Sequence, residues 1–469
     1  MNRFTDLLKK KGLDFKQHQH DGVQWCVEAE RRVDGPKGGF LADEMGLGKT
    51  ITMIGLFVTN FVPRTLIVVP AILVEQWYNE VYKVTGHKSL ICHRGEIDED
   101  ELNDAIVVIT TYGKLSVQKN RGQGALHDVH WDRVVFDEAH HLRNGKTGKF
   151  LGASSLEADT RWLVTGTPVQ NRLKDLKNLG TILGVAEDEM DDLSAMTHKY
   201  MLRRTKEDVG LVLPGLETQC AQVSWTNEGE KRLAEEIHAS LSFSNVGKDK
   251  FKNVAEALSS GDKPMFRMLS CARQSCTLPQ LMAGRINYMI SQGIIPPNHP
   301  YKEGVQSCSK SNYVIDSILS RINNGNGKLV FCQFHKEMDL ILKRLREAGV
   351  DVAVIDGRGS LAYRKLNLTE KHDVLILQIQ TGCEGLNLQE HYSEIYFASP
   401  HWNPAVEDQA VARCHRIGQT KPVQVFRFIM EGWGRTQEGE KENAKESISF
   451  DKHVSNVQDA KRDLWTEAQ

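Results

Sequence analysis

Short apolar runs alternate with helical stripes along the first half of the chain. Four of these runs consist mainly of β-branched and other large apolar residues: 65–69, 105–110, 133–136 and 161–164. Between the first two runs, Val74, Trp77 and Val81 recur at helical spacing. Buried strands that alternate with helices are typical of a doubly wound, mostly parallel sheet, so this part of the chain predicts an α/β fold.

A second alternation of the same kind begins near residue 310. Strands are predicted at 328–334, 350–355, 374–379, 394–398 and 423–429. After the first of them, Met338, Ile341 and Leu345 mark one face of a helix that Gly349 ends. Pro404 opens a further helix, predicted over 404–417. The chain therefore predicts two α/β lobes of similar size.

The segment between the two lobes has a different pattern. Leu233, Ile237 and Leu241 lie four residues apart, and a second stripe runs from Phe251 to Leu258. These spacings predict helices. We therefore divide the chain into a first lobe, a helical insertion, a second lobe and a polar tail that ends in a brace helix: 1–210, 211–309, 310–435 and 436–469.

Composition limits the possible partners and the cellular compartment of the chain. The 469 residues carry a formal net charge of −2, so a nucleic-acid partner must be met by a local groove. No apolar run approaches the roughly 18 residues of a membrane span, and the start resembles no signal peptide. Nine scattered cysteines without a C-x-x-C pair argue against disulfides and zinc. We expect a reducing intracellular compartment, nuclear in a eukaryote, and no membrane partner.

A glycine-rich turn joins the apolar residues Phe40–Ala42 to the apolar helical run 51–61. Strand, turn and helix together can cradle the phosphates of ATP with backbone N–H groups. Lys49 is expected to reach the β/γ-phosphates, and the Thr50 hydroxyl to ligate Mg²⁺. The general pattern has glycine where this chain has Asp43. We assign nucleotide binding to the whole turn: Asp43, Glu44, Met45, Gly46, Leu47, Gly48, Lys49 and Thr50.

An acidic pair follows the apolar run 133–136. Asp137 is expected to hold Mg²⁺, and Glu138 to polarise the water that attacks ATP. A solvated acidic loop is the alternative. The position of the pair, at the end of a buried strand about ninety residues after the phosphate loop, favours the catalytic interpretation.

Positive charge for the transition state is the component that the first lobe lacks. Arg413 and Arg416 lie three residues apart on the predicted helix, and Gln409 lies one turn earlier. Two arginines on a surface helix can also serve solubility alone. Beside an ATP half-site without an arginine finger, which is worth about 10³–10⁵ in rate, we favour the catalytic interpretation. If the arginine fingers lie on a second lobe, the two lobes can close when ATP binds and open when it leaves.

The order of these segments resembles the Swi/Snf-related ATPases, a DNA-translocating class of helicase superfamily two. Ordinary RNA helicases share the phosphate loop and the acidic pair but do not carry the phrase Trp-Asn-Pro followed by Arg-Cys-His-Arg-Ile-Gly-Gln. The match covers about 19 to 465. The matching segments are Gln19 with 22–25, 42–50, 66–77, 108–112, 136–144, 163–171, 201–209, 272–276, 328–334, 385–388 and 401–423.

The resemblance implies two RecA-like lobes and a role for several further residues. Gln19 would read adenine, although its position alone fits equally a residue of an amphipathic helix. Thr165, Thr167 and Gln409 would couple hydrolysis to lobe motion. Contacts to the DNA backbone would come from mostly neutral side chains: Thr111, Gln333, Thr381, Asn387 and Trp402. Two departures stand out, Glu384 ahead of Gly385 and His401 in place of a common tryptophan.

The leading hypothesis is an ATP-dependent translocase on double-stranded DNA that acts as a monomeric motor in repair, transcription or chromatin remodelling. Chromatin or another DNA-bound protein would be a further partner. Two alternatives stay open. The first is a strand-separating DNA or RNA helicase, and the second is an ATP-gated DNA-binding module that does not hydrolyse ATP.

Overall fold

The computed structural model describes residues 2–117, 124–167, 173–239, 241, 263–293, 295–359, 363, 366–368, 370–382, 386–433 and 448–467. The chain divides into two compact units, Met1–Leu213 and Pro214–Glu467. Each unit is built on a parallel sheet, as the apolar runs predict. The α/β fold class is confirmed. The four-part domain division stays a prediction.

Seven parallel strands form the sheet of unit 1, in the order β3-β4-β2-β5-β6-β1-β7. Each connection between successive strands contains at least one helix, and most strand residues are buried, as expected where helices cover both faces of a parallel sheet. The strands are β1 Lys37–Leu41, β2 Thr65–Val69, β3 Leu90–Cys92, β4 Val107–Thr111, β5 Trp131–Asp137, β6 Ala158–Val164 and β7 Met201–Leu202.

Helices pack on both faces of this sheet. One apolar cluster contains side chains of the helices at 148–154, 173–183 and 193–200, and another contains side chains of the helices at 17–30, 49–59 and 74–85. The helices are α1 Asn2–Lys10, α2 Gln17–Glu30, α3 Lys49–Thr59, α4 Val74–Thr85, α5 Glu99–Asp104, α6 Tyr112–Leu115, α7 Gly148–Ser154, α8 Leu173–Leu183 and α9 Leu193–Tyr200, with 3₁₀ turns at Ala71–Leu73, Ala125–His127 and Ala139–Leu142.

A buried ion pair ties α2 to the sheet of unit 1. Glu30, the last residue of α2, accepts hydrogen bonds at 2.5 Å from Nε and Nη2 of Arg133 on β5. Trp162 on β6 and Asn60 also donate to this carboxylate, at 2.9 and 2.6 Å. Four donors offset the cost of burying the charge, so the contact fixes where α2 lies on the sheet.

Unit 2 contains six parallel strands in the order β10-β11-β9-β12-β13-β8. The strands are β8 Leu216–Val223, β9 Gly327–Cys332, β10 Val352–Ile355, β11 Val374–Gln378, β12 Tyr392–Phe397 and β13 Val423–Met430. The helices are α10 Glu228–Ala239, α11 Lys263–Thr277, α12 Ala283–Ser291, α13 Tyr301–Gly304, α14 Ser309–Ser320, α15 His335–Glu347, α16 Ile379–Gly382, α17 Pro404–Val411 and α18 Phe450–Glu467, with a 3₁₀ turn at Pro279–Met282.

Strand β8 lies inside the segment predicted as a helical insertion, so that part of the prediction is wrong. Its first five residues are exposed, and the run therefore lacks the apolar alternation that marks a half-buried strand. Eight residue pairs with β13 hold it at the sheet edge through the backbone. The predicted stripe from Phe251 to Leu258 lies outside the described residues.

The predicted helix over 404–417 is also wrong in its second half. Helix α17 ends at Val411, and turns follow as far as Gly418. The Arg413 carbonyl accepts the N–H of Leu388 at 3.1 Å, and the Cys414 carbonyl accepts Gln419 Nε2 at 3.2 Å. These two hydrogen bonds, one of them to the distant Leu388, take carbonyls that a longer helix would use internally.

The C-terminal helix packs on unit 2, where Phe450, Val454 and Val457 are buried. Lys310 Nζ donates to Asp451 Oδ2 at 2.6 Å, and both side chains are almost fully buried. His238 Nε2 accepts the N–H of Phe450 at 2.9 Å. Burial lowers the pKa of His238 to about 4, so the ring is neutral at pH 7 and keeps this acceptor.

Replacing Glu30 with Gln should destabilise unit 1 by about 3 kcal/mol, because Arg133 would be left buried without a counter-charge. Urea unfolding followed by tryptophan fluorescence measures the loss. Asp191→Asn is the matched control, since it removes the same charge from an exposed pair with Lys177 and should cost at most about 1 kcal/mol. Equal losses in the two variants would contradict the anchoring role of Glu30.

Candidate nucleotide site

The phosphate loop of unit 1 runs from the end of β1 to the start of α3. Helix α3 begins at Lys49, and the N–H groups of its first turn have no acceptor within the helix. Gly46 and Gly48 adopt positive φ angles of 94° and 88°, which suit glycine. This is the strand, turn and helix arrangement in which an anion can lie on a helix N-terminus.

Helix α2 lies against this loop. Gln19 Nε2 and His18 Nε2 both donate to the carbonyl of Leu47, at 3.1 and 2.9 Å. A Cβ at Gly48 would lie 2.3 Å from Gln19 Nε2, so a larger residue there would displace the amide from this position. The structure thus places Gln19 at the nucleotide loop. Its role as a reader of adenine stays a prediction.

Asp43, the departure from the general loop pattern, is a buried anchor. Its carboxylate is 1% exposed and receives Nε of Arg204 at 3.0 Å and Nη2 at 2.5 Å. The remaining arginine nitrogen, Nη1, donates to the carbonyl of His18 at 2.6 Å. A bidentate arginine–carboxylate pair fixes both distance and orientation. One side chain, Arg204, therefore holds the loop to the segment after β7 and to α2.

Glu44 is held by the same segment. Its backbone N–H donates to the Arg204 carbonyl at 2.8 Å, and its carboxylate pairs with Lys206 Nζ at 2.7 Å. Burial raises the pKa of Glu44, but the hydrogen bonds and charge of Lys206 outweigh it and hold the pKa below its usual value. The sequence pattern gives no sign of these roles for Arg204 and Lys206, although both lie within a matching segment, 201–209.

The turn after β6 meets the phosphate loop. Thr165 is buried, its N–H donates to the Leu41 carbonyl at 3.1 Å, and its hydroxyl accepts the N–H of Thr167 at 3.2 Å. A Cβ at Gly166 would lie 2.7 Å from Met45 Cγ and 3.3 Å from Lys49 Nζ. This close approach brings the predicted coupling threonines beside the lysine of the loop.

Asp137 ends β5 and is supported from two sides. Trp77 Nε1 donates to its Oδ2 at 2.6 Å, and the Tyr112 hydroxyl donates to its backbone carbonyl at 2.7 Å. Burial, and then the charge of Glu138, raise the pKa of Asp137 to about 7, while the Trp77 hydrogen bond and Lys49 act in the opposite direction. Trp77 and Tyr112 were missed as supporting residues, because an apolar strand or helix pattern gives no sign of them.

Glu138 has a strained backbone. Its φ of 50° is the one positive value at a non-glycine position among the described residues. A left-handed conformation costs a residue with a Cβ roughly 1–2 kcal/mol. Its carboxylate Oε2 lies 3.4 Å from His140 Nδ1. The predicted catalytic carboxylate of Glu138 therefore lies on a strained turn that directly follows Asp137.

The residues of the site fit Mg²⁺. Each carboxylate oxygen of Asp137 accepts one hydrogen bond, from Trp77 Nε1 or from the Glu138 N–H, which leaves lone pairs for a metal. Oxygen ligands from one or two side chains, completed by phosphates, are what Mg²⁺ prefers. Thr50 Oγ1 and Asp137 would hold it. No cluster of three or more His, Cys, Asp or Glu that could hold a metal by itself occurs among the described residues.

The predicted fingers lie in unit 2, on the turns that follow α17. Arg416 Nη1 donates to Oδ1 of Asn387, which sequence analysis assigned to DNA contact. Arg413 is mostly buried, and its carbonyl holds the N–H of Leu388. Gln409 is buried on α17. A finger and a predicted DNA contact are therefore joined directly within one unit.

The other predicted DNA contacts also lie at the carboxyl ends of strands. Thr111 ends β4, Gln333 follows β9, and Trp402 follows β12. The Trp402 ring packs on Phe450 and His453 of α18, with centroid separations of 6.4 and 5.8 Å. Thr381 lies on α16, but its side chain lies outside the described structure, as do Glu384 and Gly385.

Two protein families match the chain. Residues 18–187 match the SNF2-related domain, which covers the phosphate loop, the acidic pair and the turn after β6. Residues 309–418 match the helicase conserved C-terminal domain, which covers the two arginines. The two matches fall on different α/β units.

Similar proteins support these matches. A protein called "Probable global transactivator" from Orgyia pseudotsugata multicapsid polyhedrosis virus is 29% identical, over 95% of this chain and 93% of its own length. "ATP-dependent DNA helicase DDM1" from Arabidopsis thaliana is 28% identical over 89% of this chain. Human "DNA excision repair protein ERCC-6-like" is 28% identical over 92%. The chain spans only 59% and 41% of the last two proteins.

A solved structure supports the fold alone. The helicase domain of Hef from Pyrococcus furiosus superposes with a TM-score of 0.54 at 15% identity, and the match covers 89% of this chain and 96% of that domain.

Every helix in the described part of the chain is too short or too polar to cross a membrane.

Replacing Asp43 with Asn should weaken ATP binding about tenfold, because the loop loses its ionic anchor to Arg204 while the side chain keeps its shape. Calorimetric titration with ATP measures the dissociation constant. Asp34→Asn removes the same charge from an exposed position ahead of β1 and is the matched control. An unchanged dissociation constant in a folded Asp43→Asn protein would refute the anchoring role.

Proposed function

We propose that this chain, which belongs to the Swi/Snf-related ATPases, hydrolyses ATP to move along double-stranded DNA. The observation that carries the proposal is the convergence in unit 1 of the anchored phosphate loop, the Asp137–Glu138 pair and the turn Thr165–Thr167. Neighbouring strands β5, β6 and β1 bring the three segments to one edge of the sheet. Ligands of open α/β sheets bind at this edge.

The roles of the residues follow from their chemistry. Lys49 neutralises the phosphates, and Glu138 orients and polarises the attacking water. Thr50 and Asp137 would hold Mg²⁺, which would offset the negative charge of the phosphates. Trp77 and Tyr112 keep Asp137 in place. These residues bind ATP and prepare the water, but they supply little positive charge for the transition state.

Arg413 and Arg416 supply that charge in this proposal. Both lie on the unit that matches the helicase C-terminal domain, whereas the phosphate loop lies on the other unit. An arginine donates several hydrogen bonds to phosphate oxygens in a fixed planar geometry, which suits a charged transition state. Because the arginines and the loop belong to different units, the proposed hydrolysis requires both units, and we propose that it drives movement of one relative to the other. Movement of this kind would step the motor.

DNA is the substrate that we propose for the movement. The predicted contacts Thr111, Gln333 and Trp402 follow or end strands, Asn387 lies in the connection between β11 and β12, and all four are neutral. Neutral donors grip phosphates without reading sequence, which a motor requires. They also suit a chain whose net charge is −2. Two similar proteins are named as a DNA helicase and a DNA excision repair protein, and we propose repair or chromatin remodelling as the process served.

Replacing Glu138 with Gln should lower the ATPase rate about 10²–10⁴-fold, because the side chain can no longer polarise water, while ATP binding persists. The rate should be measured with and without double-stranded DNA, and DNA should stimulate the wild-type protein strongly. Glu157→Gln, at an exposed position of the same unit, is the control and should keep the wild-type rate. A wild-type rate that only single-stranded RNA raises would overturn the proposal.

A further inference from the structure

A partly buried arginine of unit 2 joins two loops at the carboxyl edge of the sheet. Arg273, on α11, donates from Nη2 to Oε1 of Gln333 at 2.9 Å and to the carbonyl of Pro400 at 3.2 Å. Gln333 follows β9 and Pro400 follows β12, and these strands are neighbours in the sheet. Both hydrogens of one guanidinium nitrogen are used on the two loops.

This contact determines which way round the Gln333 amide lies. A guanidinium group has donors only, so the amide atom that faces Arg273 must be the oxygen. The amide nitrogen therefore points away from the arginine. Among the described residues no group accepts a hydrogen bond from Nε2 of Gln333. This nitrogen is also not fully buried. The NH₂ group is thus presented to solvent.

The backbone of Gln333 is fixed independently. Glu337, buried on α15, accepts the N–H of Gln333 at 2.9 Å and that of Phe334 at 3.2 Å. A carboxylate at this position satisfies donors at the helix N-terminus. With backbone and amide both held, little side-chain freedom remains to be lost on binding.

The opposite edge of the same sheet contains a pair of the same chemistry. Arg321 Nη2 donates to Oε1 of Gln424, near the start of β13. There the amide nitrogen is used, because Nε2 of Gln424 donates to Oε2 of Glu217 at 3.2 Å. Gln333 differs from Gln424 in that its amide oxygen is held by an arginine while its NH₂ group has no acceptor among the described residues.

We infer that Arg273 is a positioning residue that holds the Gln333 amide with its NH₂ group outward, as a hydrogen-bond donor for a phosphate oxygen of DNA. A phosphate oxygen only accepts hydrogen bonds, so the outward donor matches it and an outward carbonyl would repel it. The inference rests on the proposed DNA motor. Helix α11 contains no predicted DNA contact. Through Arg273 it nevertheless determines that the Gln333 contact is a hydrogen-bond donor.

The test measures the affinity of the full chain for a fluorescent DNA duplex by anisotropy. Gln333→Glu should pair with Arg273 and keep the fold, but it turns a carboxylate oxygen outward. We expect it to weaken DNA binding about tenfold or more. Gln333→Ala should weaken binding less, because it only removes the donor. Gln424→Glu places the same charge beside an arginine at the opposite edge, and its affinity should stay within about twofold of wild type.

Arg273→Lys removes the planar fork but keeps the charge. It should weaken DNA binding in the wild-type background and have no further effect when combined with Gln333→Ala, since a positioning residue acts through the residue that it positions. Equal weakening in both backgrounds would overturn the inference and leave the Gln333 contact standing. An unchanged affinity of Gln333→Ala would instead refute the DNA contact proposed for Gln333.

Circular dichroism decides whether the lysine variant is folded. Should Arg273→Lys fail to fold, the two Gln333 variants still decide the matter. If the NH₂ group of Gln333 points outward, the Gln333→Glu variant should bind DNA more weakly than the Gln333→Ala variant. Equal or tighter binding by Gln333→Glu overturns the inference.

Discussion

The ion pair between Asp43 and Arg204 is the contact on which the nucleotide site depends. A phosphate loop is useful only if its N–H groups stay in one arrangement, and a glycine-rich turn has little stiffness of its own. The bidentate pair supplies it, and the third nitrogen of Arg204 carries the restraint on to His18 beside Gln19. The same arginine thus places the loop and the helix that lies over it.

A comparable device occurs in unit 2. Arg273 joins the loops after β9 and β12, as Arg204 joins the phosphate loop and α2. Each arginine comes from a segment outside the strand-to-loop connections that it restrains. A planar group with five donors can hold two pieces of backbone at once, which a lysine ammonium does less well. The strands bring the loops to one edge, and the arginines then fix their arrangement.

The sequence predicts an element well when residues within that element determine it, and poorly when residues distant in the sequence do. Strand β2 was predicted from 65 to 69, as observed, because continuous burial leaves a continuous apolar run. Strand β8 was missed because it is exposed and held by backbone pairing. The end of α17 was missed because Leu388, far along the chain, takes the carbonyl of Arg413. Local pattern carries no information about such partners.

The candidate site shows the same division. The places of Lys49, at the start of α3, and of Asp137, at the end of β5, could be predicted from spacing and position after a strand, whereas the catalytic roles of these residues stay predictions. The partner of Asp43 could not, because Arg204 lies 161 residues away. The strained φ of Glu138 and the support from Tyr112 likewise arise only from the folded sheet edge.

Movement along duplex DNA is the central claim, and displacement of a third strand from a DNA triplex tests it most directly. A translocase displaces the third strand in an ATP-dependent reaction without separating the underlying duplex. We predict this result for the wild-type protein. Robust unwinding of a short duplex with no triplex displacement would contradict the account.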